Sequence, residues 1–220
     1  MITLYHCVSA RSFRPLWMLE EMGLEYDLKM LPFPPRVHAK PFFEINPLGT
    51  VPALTDDGLQ MTESAAICQY LGDRYGPTHL TVSVDEADYG HFLDLLHFGE
   101  ATLTFPQTLL LRYGRFEPED RRLPQVVDDY SRWFLARLRR IDSRLQDRDY
   151  LCADRFTAAD ISVGYALMLA DYQGLSTQYS DRVRAYWLRL KNRPAFQQAL
   201  TRQHNEALAQ EVPTTPAPCV

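Results

Sequence analysis

The chain has 220 residues and 25.4 kDa, with 46% apolar and 23% charged residues and a net charge of −5 from 23 basic against 28 acidic side chains. That composition excludes a disordered or fibrous chain, and an acidic balance argues against a nucleic-acid surface. No apolar run approaches the roughly 20 residues that span a bilayer, and no basic segment leads into an apolar one at the N-terminus, so the chain is expected to be cytoplasmic and off the membrane. Cys7, Cys68, Cys152 and Cys219 are far apart, with no C-x-x-C pair, and the histidines lack paired spacing. Single thiols and no metal are the reading.

In chain order, Ile2 to His6 is a short β-branched and aromatic run, a buried strand. Ser9-Ala10-Arg11-Ser12 then precedes a helix over Phe13 to Met22, with Pro15 in its first turn and Gly23 as its stop. Leu24 to Leu31 alternates apolar residues as a second strand until Pro32, Pro34 and Pro35 break it. Asn46-Pro47-Leu48-Gly49 is turn chemistry. Val51 to Thr55 and Leu59 to Thr62 read as strands joined at Asp57-Gly58, and Ser64 to Tyr75 as a helix. The remainder is helical by its spacing: Tyr89 to Leu111, Leu123 to Leu145, Ala158 to Gln173 and Asp181 to Lys191. Thr157 to Asp160 has the form of a capping box. Trp17, Trp133 and Trp187 are expected in the core.

The expected architecture is α/β plus all-α: residues 1–78 as an N-terminal α/β domain, 79–86 as a linker, 87–210 as a helical domain and 211–220 as a mobile proline-rich tail.

Two segments carry chemistry. Pro52 stands directly before a strand and cannot donate to a ladder, so it either begins the strand or follows a cis bond. In the second case the Val51 amide and carbonyl are left for an added peptide strand. Thr62-Glu63-Ser64 precedes a helix. Ser64 is a cap whose neighbouring amides suit a carboxylate, and Glu63 suits an ammonium group.

The string N-P-L-G-T-V-P-A-L, followed by T-E-S, A-A-I-x-x-Y-L and the late capping box, resembles the soluble glutathione S-transferases over the whole chain. The likeness is bacterial-like and closest to the serine-type, zeta- and theta-like members. It implies a thioredoxin-like N-terminal domain that binds glutathione as co-substrate, and a helical domain that completes the pocket for a small apolar electrophile. It also implies a homodimer with a detoxifying role, and no metal. Carried over by position, Val51 would pair with the cysteinyl unit of glutathione and Pro52 would be the family's cis-proline. Glu63 and Ser64 would hold the γ-glutamyl end, and His38 or Lys40 the glycine carboxylate.

A free thiol with a pKa of about 8.5 is only a few per cent thiolate at neutral pH, and lowering it by two units takes about 2.7 kcal/mol. A hydroxyl donor at the N-terminus of the first helix can supply that. Ser9, five residues before Arg14, has the spacing of the zeta-like catalytic serine, and Ser12 is the second choice and the more natural helix cap. Tyr5 reads as core. Cys7 would give mixed-disulfide chemistry instead, but Arg11 occupies the place where cysteine-type members carry theirs. Conjugation is the leading function. Glutathione-dependent isomerisation, ether cleavage or dehalogenation is the second reading, and a non-enzymatic glutathione-binding or chaperone-like module the third.

Overall fold

The structure is a computed structural model that describes residues 1–220. In chain order it has β1 (Ile2–His6), α1 (Phe13–Met22), β2 (Tyr26–Met30), the single turn α2 (Pro35–His38), β3 (Ala53–Asp56), β4 (Leu59–Met61) and α3 (Ser64–Arg74). There follow α4 (Tyr89–His97), α5 (Phe105–Leu111), α6 (Pro124–Arg144), α7 (Ala158–Tyr172), α8 (Asp181–Lys191) and α9 (Pro194–Ala209). No helix is long and apolar enough to cross a membrane.

The chain forms two compact units, and the first is not contiguous: residues 1–78 together with 192–220. Its four-stranded sheet has the order β2-β1-β3-β4, with β1 parallel to β2 and antiparallel to β3. Period-two alternation sends Leu4, Leu28 and Leu54 into the same core, where each is at most 2% exposed. Gly23 closes α1 in the left-handed conformation (φ +63°), with its amide on the Glu20 carbonyl. This is the thioredoxin-like arrangement that the sequence implies.

Helix α9, which the periodicity reading did not single out, belongs to this unit and packs on α1 and β2. Its Phe196 ring meets Phe13 and Trp17 edge-on at 5.4 and 4.8 Å, contacts worth about 1 kcal/mol beyond the area they bury. Arg193 bonds both carboxylate oxygens of Glu21 at 2.6 and 2.8 Å. Gln210, just past α9, accepts from the Met30 amide and donates to the Leu28 carbonyl, both at 2.8 Å. One side chain thus bonds the open edge of β2 as a further strand would.

The expected tail is packed. Ala217 and Pro218 are buried, and the Ala217 amide donates to the Val8 carbonyl at 2.8 Å. Ala217 shares a small apolar cluster with Cys7 and Ala10, against which Leu31, Phe33 and Val51 pack. The prolines that read as unable to pack instead leave few backbone amides to satisfy, and Pro216 leads into a single tight turn closed by the Cys219 amide on its carbonyl at 2.8 Å.

The second unit is residues 79–191, all helical. The expected linker at 79–86 is part of it. Leu80 and Val82 are buried, the Ala158 amide donates to the Leu80 carbonyl at 2.7 Å, and Arg155 bonds Glu86 and the carbonyls of His79 and Thr81. The capping box forms at the start of α7, with the Thr157 amide on the Asp160 carboxylate at 2.8 Å.

The helix expected over Tyr89 to Leu111 is interrupted by a widened π segment at Phe98–Thr104. Gly99 lies against the backbone of Ser162, and the Ser162 hydroxyl donates to the Leu96 carbonyl at 2.6 Å. Pro106, which cannot donate to the preceding turn, follows directly. Trp133 is 47% exposed instead of buried, stacked under the Arg137 guanidinium 3.4 Å from its ring centroid.

Candidate functional site

The end of β1 delivers the chain into a tight turn, Cys7 to Ser12, in which the Ala10 amide bonds the Cys7 carbonyl at 3.0 Å. Ser9 is left-handed there (φ +56°), a conformation disfavoured for a side chain with a Cβ, so its bonds must hold it. The Ser9 amide donates to Gln203 Oε1 at 2.9 Å, and Gln203 Nε2 lies 3.2 Å from Ser9 Oγ.

The same Oε1 lies 2.9 Å from His6 Nε2, and His6 Nδ1 lies 2.7 Å from Ser12 Oγ. His6, Ser9 and Ser12 have no exposed surface and Gln203 has 4%. The proton positions follow in sequence. An amide N–H can only donate, so the Gln203 atom facing Ser9 is the oxygen. His6 Nε2, facing that oxygen, carries hydrogen. Burial pushes the imidazole down to about 4 and keeps it neutral, so Nδ1 is a lone pair. Ser12 Oγ must therefore donate to His6. Ser12 is the N-cap residue of α1, as the sequence reads, but its hydroxyl makes no cap bond to that helix.

Cys7 is buried with its sulfur 3.8 Å from the Pro32 carbonyl, and desolvation pushes its thiol up to about 12. A thiol held protonated is a poor nucleophile, which disfavours the mixed-disulfide reading. Tyr5 packs against Phe42 with ring centroids 5.4 Å apart and the planes tilted by 40°, as a packing residue does.

The second segment approaches β3. Asn46, 1% exposed, donates to the Thr50 carbonyl at 2.7 Å and accepts from the Leu48 amide at 3.1 Å, which fixes the loop. Gly49 (φ +59°) has no alternative there: a Cβ would lie 2.8 Å from the Phe43 ring and 2.9 Å from Arg36 Cβ. The Val51–Pro52 bond is cis and β3 begins after it. The backbone N–H and C=O of Val51 take no hydrogen bond within the chain.

The third segment is the start of α3. Glu63, exposed, is the N-cap residue and makes no side-chain cap bond, so Ser64 stands one place inside the helix rather than at its cap. Ser64 Oγ accepts from Arg14 Nη1 at 3.2 Å, and Arg14 is fully buried in the first turn of α1. Arg14 was used in the sequence reading only to count spacing, and its part in the site had no local signal.

These contacts bring three of the expected groups to one place. Val51 packs on the Cys7–Ala10 cluster, Ser64 is tied to Arg14, and Ser9 and Ser12 lie in the turn between. His38 and Lys40 are both exposed and have no contact with that turn. Lys40 bonds the Arg36 carbonyl at 2.8 Å and sits 5.7 Å over the Phe43 ring, beside the Gly49 loop.

A profile of the glutathione S-transferase N-terminal domain matches residues 8–74. The chain is 28% identical over 218 residues to glutathione S-transferase 3 of Schizosaccharomyces pombe, covering 94% of this chain and 90% of that one. It is 31% identical over 152 residues to glutathione S-transferase hmp2 of Hypomyces subiculosus, covering 64% of this chain and 70% of that one. Among solved structures it is similar to a sphingomonad glutathione S-transferase complexed with glutathione, at a TM-score of 0.80 and 25% identity, covering 91% of this chain and 98% of that one.

Proposed function

The chain belongs to the glutathione S-transferase family, and from that membership we propose how it holds glutathione and activates the thiol. It is a glutathione transferase with glutathione as co-substrate. The cysteinyl unit pairs with the Val51 backbone as an added strand. The γ-glutamyl carboxylate lies at the N-terminus of α3 on Ser64, where the buried Arg14 adds positive charge to that of the helix dipole, and Glu63 takes the ammonium group. The glycine carboxylate is held from the segment carrying His38 and Lys40. The observation that carries this reading is the unpartnered Val51 backbone beside the Cys7–Ala10 turn, with Arg14 on Ser64 at the other end.

The thiol donor is Ser9, as in serine-type members. Ser12 gives its proton to His6, Cys7 is itself a protonated thiol, and the Tyr5 ring packs against Phe42. Ser9 Oγ accepts from Gln203 Nε2 at the end of β1, which leaves it the hydroxyl of this turn that matches the serine-type position. Ser9 is covered, so the thiol reaches it only when part of that cover gives way. The stabilised thiolate then attacks a small apolar electrophile with its sulfur lone pair, forming a C–S bond as a leaving group departs or a neighbouring carbon takes a proton from water. Thiolate stabilisation and proximity carry the rate. The active species is a homodimer, which sedimentation at two concentrations would check.

The test is calorimetric titration with reduced glutathione, followed by thiolate absorbance across pH for the parent chain, Ser9→Ala and Ser12→Ala. We expect binding, a thiolate near neutral pH, and in Ser9→Ala a roughly tenfold lower thiolate fraction with affinity changed less than about twofold. An unaltered pH profile in Ser9→Ala removes Ser9 from the mechanism. Absence of binding at millimolar glutathione removes the whole reading.

A further inference from the structure

We propose that residues 212–220 form a latch on the sulfur end of the glutathione site, closed in the free protein and released when glutathione binds. This rests on the reading that glutathione pairs with Val51 and delivers its sulfur to the Cys7–Ser12 turn. That turn is shut off from solvent: Cys7 and Ser9 have no exposed surface, Val8 has 6% and Ala10 has 7%. A group packed on the turn has to move before a sulfur atom can enter. Ala217 shares an apolar cluster with Cys7 and Ala10, and its amide donates to the Val8 carbonyl at 2.8 Å. One residue thus engages the turn on both sides of Ser9. Val51 packs against the same cluster, so the latch and the incoming cysteinyl unit meet at neighbouring residues.

The segment is built for a contact that opens. Helix α9 ends at Ala209, the Val212 amide turns back onto the Ala207 carbonyl at 2.8 Å, and Glu211 is left-handed (φ +55°), which directs the chain out of the helix. Residues 211–216 are exposed or half-buried, so the chain leading to Ala217 buries little. Segments of that kind open locally at a small fraction of the free energy needed to unfold a packed helix or strand. Proline has no N–H, so between Pro216 and Pro218 the Ala217 amide is the one backbone donor, and it is placed on Val8. The Cys219 amide bonds the Pro216 carbonyl inside the latch itself, so the latch keeps its own turn when it leaves.

A site blocked by a closed latch binds its ligand with an affinity lowered by the closed fraction, so weakening the latch tightens binding. A segment that merely supports the turn gives the opposite sign. Ala217→Pro removes the N–H placed on Val8, and Ala217→Asp puts a carboxylate into the apolar cluster. Folding is checked by circular dichroism, and binding of reduced glutathione is measured by calorimetry for both variants and the parent. In the parent, hydrogen exchange at the Ala217 amide is followed by nuclear magnetic resonance with and without saturating glutathione. We expect each variant to bind glutathione roughly threefold to tenfold more tightly, as loss of one hydrogen bond from the closed state gives. We also expect the Ala217 amide to exchange on the order of tenfold faster in the complex. Equal or weaker binding by folded variants overturns the latch, and so does an Ala217 amide whose protection is unchanged or increased by glutathione. If a variant fails to fold, the exchange measurement on the parent decides. Absence of binding at millimolar glutathione in parent and variants alike is a different failure: it removes the glutathione reading, and the latch falls with it.

Discussion

His6 is a titratable ring with no access to water, bonded on both nitrogens. Burial holds it near 4 in the folded chain, while in the unfolded chain it titrates near its ordinary value of about 6.5. The unfolded state therefore takes up a proton first as pH falls. The stability that neutral His6 contributes is complete above about 6.5 and is lost progressively toward about 4, to a total on the order of 3 kcal/mol. Asp160 works in the opposite sense, because burial pushes its carboxyl up to about 6 and its penalty appears as pH rises from the unfolded value of about 4. Urea unfolding at about pH 7 and pH 4.5 checks the first effect. We expect the loss between the two to be about 2 kcal/mol smaller in His6→Gln than in the parent, and an equal loss would show that His6 does not couple to folding. In the sequence His6 read only as the last residue of a strand. Nothing local indicates that its ring would take the Ser12 proton.

At the scale of elements, the two glycines of the α4–α5 segment should respond to the same substitution with opposite sign. A Cβ on Gly99 would meet the Ser162 backbone at 2.6 and 2.7 Å, whereas one on Gly90 meets nothing within 4 Å. Gly99→Ala is expected to destabilise by about 2–4 kcal/mol, and Gly90→Ala, inside α4, to stabilise by about 0.5–1 kcal/mol. Thermal melts of both variants check this, and a neutral Gly99→Ala would mean that the π segment is not held by its contact with α7. Strands and helices of the first unit were legible because each has its own periodicity: Leu24, Tyr26, Leu28 and Met30 alternate, and Gly23 and Pro52 mark ends. The π segment was not legible, since its cause is Ser162, more than 60 positions away. Trp133 was misplaced for a related reason: an aromatic residue on a polar helix can be covered by its own neighbours, here Arg137, without entering the core. Of the candidate site, Val51, Pro52, Glu63 and Ser64 could be picked out from turn and cap chemistry. Arg14 and Gln203 could not, because a buried polar residue has no signature apart from its partners.

For the whole molecule, the informative feature is that residues 192–220 belong to the first unit. The sequence suggested a boundary near 78 because the polar segment from Thr78 to Val84 has no helical period, but a boundary of that kind does not say which unit a later helix packs into, and α9 had not been singled out. A chain shortened to 1–191 would leave the Phe13–Trp17 face bare, the β2 edge open and the Ser9 turn without its amide partner. We expect it to lose glutathione binding and cooperative unfolding of the first unit, because Phe196 alone stands for about 3–5 kcal/mol by truncation. Native affinity in the shortened chain would show that α9 is dispensable to that unit.

The same feature sets an order of events during synthesis. When residue 78 is added to the chain, the first unit lacks a helix, an edge cover and Gln203, and about 140 residues separate it from the last residue of its own fold, 220. At roughly 5–20 residues per second, that is on the order of ten seconds in which an unfinished sheet edge waits beside other nascent chains. The beginning of this protein is thus the last part to be completed, and a translational pause late in the message would prolong the exposure of its earliest strands.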